Sequence, residues 1–299
     1  MSARRIAVTG ASGLIGKALL PALRAQGWTV VTVGRGDGSD VRWNPTAGTI
    51  DAHALAGAEA VVHLAGEPIV VRWSDARRRA IRESRESGTA LIARTIAGLA
   101  ERPRVLVSAS AIGIYGDGGD AWLDEQHASG DDFLASVCVA WERAADAARD
   151  AGIRVVHPRI GLVFAAAGGA LAKLLPVFRL GLGGPAGSGA QWMSWITRGD
   201  SVRALLTLLD DATLAGAVNV ASPQPVTNAE FTETMGRVLH RPALIPVPAF
   251  ALRAAFGDMA EQTLLASQRV RPARLEQVGF HWEQPALDGA LRAALGDGA

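Results

Sequence analysis

The chain has 299 residues and a formal net charge of +1, with 30 lysines and arginines against 29 acidic residues. This balance excludes a broad electrostatic surface for nucleic acid or anionic lipid. Apolar residues make up 49% of the chain and charged residues 20%, as in globular proteins with a substantial core. The length fits one large α/β domain, or a core domain with a smaller lobe.

Cysteine usage and the amino terminus indicate the compartment. Cys138 is the single cysteine, so the chain forms no internal disulfide and offers no cysteine cluster to a metal. The run MSARRIAVTG lacks the apolar core of a signal peptide, and no stretch of 18 apolar residues is present. We expect a soluble cytoplasmic protein without a metal, a membrane or a nucleic-acid partner.

The first half of the chain alternates short β-branched runs with longer helical patterns. The strand-like runs are RIAVTG, WTVVTVG, AEAVVHLAG, PRVLVSAS and IRVVHPRIG. Helical patterns cover residues 14–26, 75–99 and 132–151. This alternation is typical of βαβ units. We therefore predict an α/β fold: a Rossmann-type doubly wound parallel sheet with a smaller mixed C-terminal lobe.

The pattern changes near Gly168, where a helical run, the loop GLGGPAGSG and the strand-like QWMSWI follow one another. A helix over 200–210 and the run AVNVA then resume the α/β alternation. Thr227 or Asn228 is predicted to cap a helix. We predict a Rossmann domain over 1–164, to which 193–221 return, and a smaller substrate lobe formed by 165–192 and 222–299.

The stretch TGASGLIG follows the first strand and has glycines at 10, 13 and 16. The first glycine allows a tight turn, the second a close approach of the backbone to a diphosphate, and the third close packing of helix on strand. The free N–H groups at the helix start favour phosphate. Predicted dinucleotide contacts are Thr9, Gly10, Ser12, Gly13, Leu14, Ile15, Gly16, Leu64, Ala65, Gly66 and Ser108.

The second strand ends in Gly34-Arg35-Gly36 rather than in an acidic residue. A carboxylate at this position binds the ribose 2'-hydroxyl of NAD, whereas arginine suits the 2'-phosphate of NADP. Arg35 therefore predicts NADP(H) as the cofactor. The alternative is that Arg35 is a solvated loop charge.

TGASGLIG, LAG and SASAIGIYG together resemble the extended and atypical short-chain dehydrogenase/reductase superfamily, which includes nucleotide-sugar epimerases. More specifically, the chain resembles an atypical epimerase-like family with a DUF1731-type C-terminal domain. The stretches that carry this resemblance are LAGEPI, RIGLVF, GGALAKLLPVFRLGLGGPAGSGAQWMSWI, NVASPQPVTNAEF, RPALIPVPAFALRAAFGDMA and QRVRPARLEQVGF. One departure is that Thr197 stands where the family usually has histidine.

The resemblance implies a Ser/Thr-Tyr-Lys centre, with a Tyr-x-x-x-Lys pair on one helix. Here the only tyrosine, Tyr115, is followed four residues later by Gly119, and the lysines are Lys17 and Lys173. The standard pair is therefore absent. Ser110 resembles the superfamily serine, with Ser108 as its nearest rival.

We take Ser110 and Tyr115 as catalytic candidates. The alternatives are that Ser110 is a capping or turn serine and that Tyr115 is structural. The corresponding helix reads FLASVCVAWERAAD, and one register puts Leu134 and Cys138 in the Tyr and Lys positions. The other register puts Val137 and Trp141 there.

A second set of residues is predicted to line a pocket for a flat or anionic substrate. These residues are Trp73, Arg85, Arg159, Gln191, Trp192 and Trp195. The alternative is that the tryptophans hold the lobes together and that the arginines are solvated or paired.

Two functions follow from these patterns. The first is an NADP(H)-binding oxidoreductase or epimerase-like enzyme that acts on an unknown small polar carbonyl or alcohol, with Ser110 polarising the oxygen and Tyr115, a neighbouring acid or a water relaying the proton. The second is a noncatalytic NADP(H) redox sensor, which the missing Tyr-Lys pair would permit.

Overall fold

The computed structural model describes residues 4–296. Its strands are β1 Arg5–Thr9, β2 Thr29–Gly34, β3 Val41–Asn44, β4 Thr49–Ile50, β5 Ala60–His63, β6 Val105–Ser108, β7 Ser110–Ala111, β8 Trp122–Leu123, β9 Arg154–Ile160, β10 Leu162–Phe164, β11 Trp192–Met193, β12 Trp195–Thr197, β13 Gly216–Val220, β14 Val226–Thr227 and β15 Arg269–Val270. Its α-helices are α1 Leu14–Ala25, α2 Asp75–Ala97, α3 Phe133–Arg143, α4 Asp146–Asp150, α5 Gly169–Arg179, α6 Arg198–Asp210, α7 Asn228–Leu239, α8 Ala249–Phe256, α9 Ala273–Gln277 and α10 Leu287–Gly296.

The large sheet has the order β13-β9-β6-β5-β1-β2-β3-β4, and β7 pairs with β9 beyond the end of β6. All neighbours in it are parallel except β3 and β4. The strand order reverses between β1 and β5, which is the switch point where such sheets bind nucleotides. The predicted doubly wound α/β fold is confirmed.

Both faces of this sheet are covered, as a parallel sheet requires. Successive residues of β1 belong to different cores: Ile6 and Val8 pack with α1 and α6, whereas Ala7 packs with α2 and α4. The β-branched runs in the sequence therefore read as continuous apolar strands rather than as alternating ones.

The C-terminal part has an aromatic core of its own. Phe164, Trp195 and Phe231 lie in it with residues of α5, α7 and α10. The strand β13 lies at the edge of the large sheet, beside β9. The predicted boundaries of the two parts stay a prediction, and their outermost residues, 1–3 and 297–299, lie outside the described residues.

Three local details differ from or sharpen the sequence prediction. The helix predicted over 132–151 is two helices, α3 and α4, separated by Ala144 and Ala145. The short strands β3 and β4 were not predicted. Of the two proposed caps of α7, Thr227 is the one present, and it forms a reciprocal capping box with Glu230.

No helix within residues 4–296 is long and apolar enough to cross a membrane.

Candidate functional site

The glycine turn after β1 has the geometry that a diphosphate requires. Gly10 has a φ of 69°, and a Cβ on it would lie 2.7 Å from the carbonyl carbon of Leu64. A Cβ on Gly16 would lie 2.2 Å from the Gly10 oxygen. Gly13 precedes α1 without a side-chain cap, and the first turn of α1 has no acidic residue. The free N–H groups at this helix start fit a phosphate group.

Exposure separates the predicted contacts in this turn. Ser12 and Gly13 are exposed, Leu14 and Ile15 are half-buried, and Gly16 is buried against the turn. The exposed backbone at Ser12 and Gly13 is the part that can approach a ligand.

Thr9 is fully buried and connects the two turns at the switch point. Its Oγ1 accepts hydrogen bonds from the amides of Leu64 at 3.1 Å and Ala65 at 3.3 Å. Thr9 therefore fixes the turn that contains Leu64, Ala65 and Gly66. The prediction gave Thr9 a cofactor contact, but burial leaves its side chain a positioning role.

His63 accepts the remaining hydrogen bond of Thr9. The two atoms Thr9 Oγ1 and His63 Nδ1 are 2.7 Å apart. Because the threonine oxygen already accepts two amides, its hydroxyl donates to Nδ1, and His63 is the neutral tautomer protonated on Nε2. Burial lowers the pKa of His63 to about 4.

This buried histidine gives a pH-dependent stability. Its pKa in the unfolded chain is 6.5 and its folded pKa is about 4, so the unfolded chain binds more protons between these values. We expect unfolding to become about 2 kcal/mol easier between pH 7 and pH 5 through this group. His63→Asn keeps an acceptor for Thr9 and does not titrate. Chemical denaturation at both pH values should show a smaller loss in the variant, and equal losses would contradict the assignment.

Arg35 follows β2 at the same sheet edge. Its side chain is 75% exposed, and its Nη2 lies 3.6 Å from Glu67 Oε1. Arg77 approaches the other oxygen of Glu67 at 3.3 Å. An exposed guanidinium beside the dinucleotide turn has the position and the donors to bind a phosphate on the adenosine side.

A buried polar network lies beyond the carboxyl ends of β6 and β9. The Ser110 hydroxyl donates to Glu142 Oε1 at 2.7 Å. The guanidinium of Arg159 makes two bonds to the same carboxylate, Nε to Oε1 at 2.9 Å and Nη2 to Oε2 at 3.0 Å. Burial opposes the charge of Glu142, but Arg159 and Ser110 outweigh it and hold its pKa below the ordinary value. Glu142 is therefore a carboxylate at neutral pH.

Tyr115 belongs to the same network and lies in the core rather than in an open cleft, because it is 3% exposed. Its hydroxyl donates to Asn219 Oδ1 at 2.7 Å and accepts from Arg159 Nη1 at 3.0 Å. Burial raises the pKa of Tyr115 to about 12. The sequence made Tyr115 a catalytic candidate with a structural role as the alternative, and the structure shows a buried hydroxyl that Asn219 and Arg159 hold in place.

The helix α3 packs against this strand end, and the candidate residues of both registers are buried. Leu134 packs on Gly113, and the Cys138 thiol lies by the backbone of Ala111. Burial raises the pKa of Cys138 to about 12. Both registers stay open, and in either one the superfamily's Tyr and Lys positions hold residues that do not exchange protons near neutral pH.

Ser108, the rival of Ser110, is fully buried with its hydroxyl unpartnered among the described residues. Its predicted contact with the dinucleotide stays a prediction.

Four of the six residues predicted to line a substrate pocket have structural contacts. Trp195 is fully buried and stacks on Phe164 with ring centroids 5.3 Å apart. Gln191 is buried and holds a loop by donating to the carbonyls of Ala186 and Leu264.

Trp192 and Trp73 also have structural contacts. Trp192 stacks on the guanidinium of Arg269 and donates to Asp120 at 3.0 Å. Trp73 donates to the carbonyl of Ile69 at 2.9 Å and contacts Phe133 edge-on. These contacts agree with the alternative in which the tryptophans have a packing role, and the common pocket stays a prediction. Of the six, Arg85 and Arg159 lie at the sheet edge.

Thr197, at the position where the family pattern has histidine, caps α6. Its Oγ1 accepts from the amide of Asp200 at 3.0 Å. Within residues 4–296, no group of three or more histidine, cysteine or acidic side chains could hold a metal ion.

Glu142, Asn219 and Glu67 were not named as site residues by the sequence analysis. Each of the three acts through a partner distant in the chain, and a single sequence carries no signal for such a pair.

Comparison with known proteins identifies the family. The model of the NAD dependent epimerase/dehydratase family matches residues 6–221, and that of a domain of unknown function, DUF1731, matches residues 247–294. The chain belongs to the NAD dependent epimerase/dehydratase family.

Similar proteins occur in bacteria and in animals. Epimerase family protein Mb2239 of Mycobacterium bovis is 43% identical over 292 residues, which is 96% of each chain. The crystal structure of human epimerase family protein SDR39U1, isoform 2, with NADPH has a TM-score of 0.89 and 35% identity, covering 98% of this chain and 99% of the human one. A nucleoside-diphosphate sugar epimerase from Corynebacterium glutamicum has a TM-score of 0.82 and 35% identity, over 99% of this chain and 59% of its own.

Proposed function

We propose that this protein binds NADP(H) across the carboxyl edge of its sheet and transfers hydride to or from a small polar carbonyl or alcohol, as an oxidoreductase or an epimerase. The observation that carries the proposal is the exposed guanidinium of Arg35 beside the open glycine turn. The NADPH in the structure of human SDR39U1 supports the same cofactor. The lone cysteine supports a cytoplasmic location.

The residues that would hold the dinucleotide lie in three places. The backbone of Gly10 to Gly16 and the start of α1 would bind the diphosphate, Arg35 the 2'-phosphate, and the turn at Gly66 the nicotinamide half. When bound, the cofactor supplies or accepts the hydride. The chain's own residues must therefore orient the substrate and move a proton.

We assign the proton transfer to Ser110 and Glu142. The hydroxyl of Ser110 already donates to a carboxylate that Arg159 keeps ionised. In the oxidising direction, Ser110 would take the proton of a substrate hydroxyl while its own proton passes to Glu142. Tyr115 holds Arg159 and Asn219 in place and is a positioning residue in this scheme.

A second function is favoured by one observation. Ser110 and Tyr115 are each only 3% exposed, and both hydroxyls have protein partners. A centre closed in this way suits a noncatalytic protein that binds NADPH and NADP⁺ with different affinities and reports the redox state.

Turnover separates the two functions. A screen of carbonyls, alcohols and sugar nucleotides should reveal NADPH oxidation or NADP⁺ reduction, and Ser110→Ala and Glu142→Gln should each slow it by about 10²-fold or more. Absence of turnover with every substrate, together with tight binding of one redox form, would favour the sensor. Unchanged rates in both variants would remove the assigned proton path.

In this arrangement, the carboxylate of Glu67 competes with the 2'-phosphate of NADPH for Arg35, and the two negative charges repel each other. We expect Glu67→Gln to tighten NADPH binding about 2- to 5-fold, the range of a partly exposed ion pair. NADH lacks the 2'-phosphate, so its affinity should change less. Calorimetric titration measures both, and Glu83→Gln on the exposed side of α2 is the matched control. Weaker NADPH binding in Glu67→Gln would contradict this arrangement.

A further inference from the structure

Arg85 of α2 is a half-buried cation beside the turn that follows β5. Its Cζ lies 3.4 Å from the position that a Cβ on Gly66 would occupy. Its Nη1 donates to the carbonyls of Glu67 and Ile81, both at 3.1 Å. The guanidinium also lies over the ring of Trp141 at 4.9 Å. These contacts fix the group at one place on the sheet edge.

Arg85 forms no direct ion pair in the part of the chain that the structure describes, although the charge of Glu67 acts on it from a distance. Its Nε and Nη2 have no protein acceptor among residues 4–296, and neither atom is sealed from solvent. A cation that is partly withdrawn from water is costly unless its donors are hydrogen-bonded, so such groups are usually paired. The unused donors are therefore positioned to bind oxygen atoms of a ligand.

The strand order shows which part of a dinucleotide would supply those oxygens. In this fold the ligand crosses the carboxyl edge, with one nucleotide on each side of the switch point. Arg35 follows β2 on one side, whereas Gly66 follows β5 on the other side. Arg85 therefore lies with the second nucleotide, beyond the diphosphate site at α1.

The helix α3 adds a second observation. The two registers put either Cys138 or Trp141 in the superfamily's Lys position, and Arg85 lies by both: its guanidinium is 4.9 Å from the Trp141 ring, and its charge acts on the Cys138 thiol. In either register, a cation from α2 lies beside the position where α3 has no lysine.

We propose that Arg85 binds the phosphate and ribose oxygens of the nicotinamide half of NADP(H), as a cation that reaches this edge of the sheet from α2. This assignment rests on the proposed cofactor function. It moves Arg85 from the substrate pocket predicted from the sequence to the cofactor.

Three ligands test the proposal by calorimetric titration: NADPH, NADH and adenosine 2',5'-bisphosphate, which lacks the nicotinamide half. Arg85→Gln should lower the affinities for NADPH and NADH about 10-fold or more, and it should change the affinity for the bisphosphate by less than about 2-fold. Arg85→Lys, which keeps the charge, should bind NADPH more tightly than Arg85→Gln. Arg79→Gln, on the exposed side of the same helix, is the control and should change none of the three affinities.

Each alternative gives a different pattern. If Arg85 only supports the Glu67 turn, Arg85→Gln should lower the affinity for the bisphosphate as much as that for NADPH. In that case Arg85→Gln should also bind NADPH at least as tightly as Arg85→Lys does. Either result overturns the proposal. Unchanged NADPH binding in both variants would overturn it as well. If the wild type binds none of the three ligands, the proposed cofactor function fails, and this outcome is distinct from a failure of Arg85 alone. Thermal unfolding of each variant verifies that it is folded.

Discussion

Arg159→Met is expected to lower the free energy of unfolding by about 3–5 kcal/mol, because it leaves the carboxylate of Glu142 buried without its cation. Arg159 is 10% exposed in its side chain and Glu142 15%, so water replaces little of the lost interaction. The hydroxyl of Tyr115 loses a donor at the same time. Urea denaturation at neutral pH measures the change.

The matched control is Arg143→Met, an exposed arginine on the last turn of α3. Its loss should stay within about 0.5 kcal/mol, as is usual at the surface. A double variant with Arg159→Met and Glu142→Met should recover much of the stability, because an apolar pair carries no unpaired charge. An Arg159→Met protein as stable as the control would contradict the buried ion pair.

Arg35→Ala is expected to weaken NADPH binding about 10- to 100-fold, which is the range for hydrogen bonds to a charged group. The affinity for NADH should change by less than about 2-fold, because NADH has no 2'-phosphate. Competition titrations with both nucleotides measure this selectivity directly.

Arg24→Ala controls for the loss of a positive charge near the cofactor. Arg24 is exposed on the last turn of α1, at the opposite end from the glycine turn. Its removal should lower the affinities for NADPH and NADH only slightly and by the same factor. If Arg35→Ala reduced the two affinities by the same factor, Arg35 would not be the determinant of NADP(H) selectivity.

The sequence predicted the sheet and the glycine turn because both depend on local chemistry. Gly10, Gly13 and Gly16 follow an apolar strand and begin a helix, and the backbone geometry at that point leaves no room for a Cβ at Gly10 or Gly16. Continuous β-branched runs predicted strands that are buried on both faces, as observed. The predicted cofactor edge follows from the same few residues.

The polar network could not be predicted because its members are far apart in the chain. The hydrogen-bonded residues Ser110 and Glu142 are 32 positions apart in the sequence, and Tyr115 and Asn219 are 104 positions apart. Periodicity reports which face of an element is apolar, but it carries no information about which polar side chains meet after packing. Tyr115 was taken as a catalytic candidate and Trp195 as a pocket residue for their chemical type, and the structure buries both side chains.

The break between α3 and α4 also depends on tertiary packing, which the local pattern does not report. Alanines at 144 and 145 favour a helix, so the pattern reads as continuous, yet the chain bends there to pack Ala145 and Ala148 against the sheet. Tertiary packing overrides a helix propensity of this size.

Calorimetric titration of the wild-type protein with NADPH and with NADH tests the central claim most directly. The geometry of Arg35 and the glycine turn predicts that both nucleotides bind and that NADPH binds at least about 10-fold more tightly. Equal or tighter binding of NADH, or no binding of either nucleotide, would contradict the account.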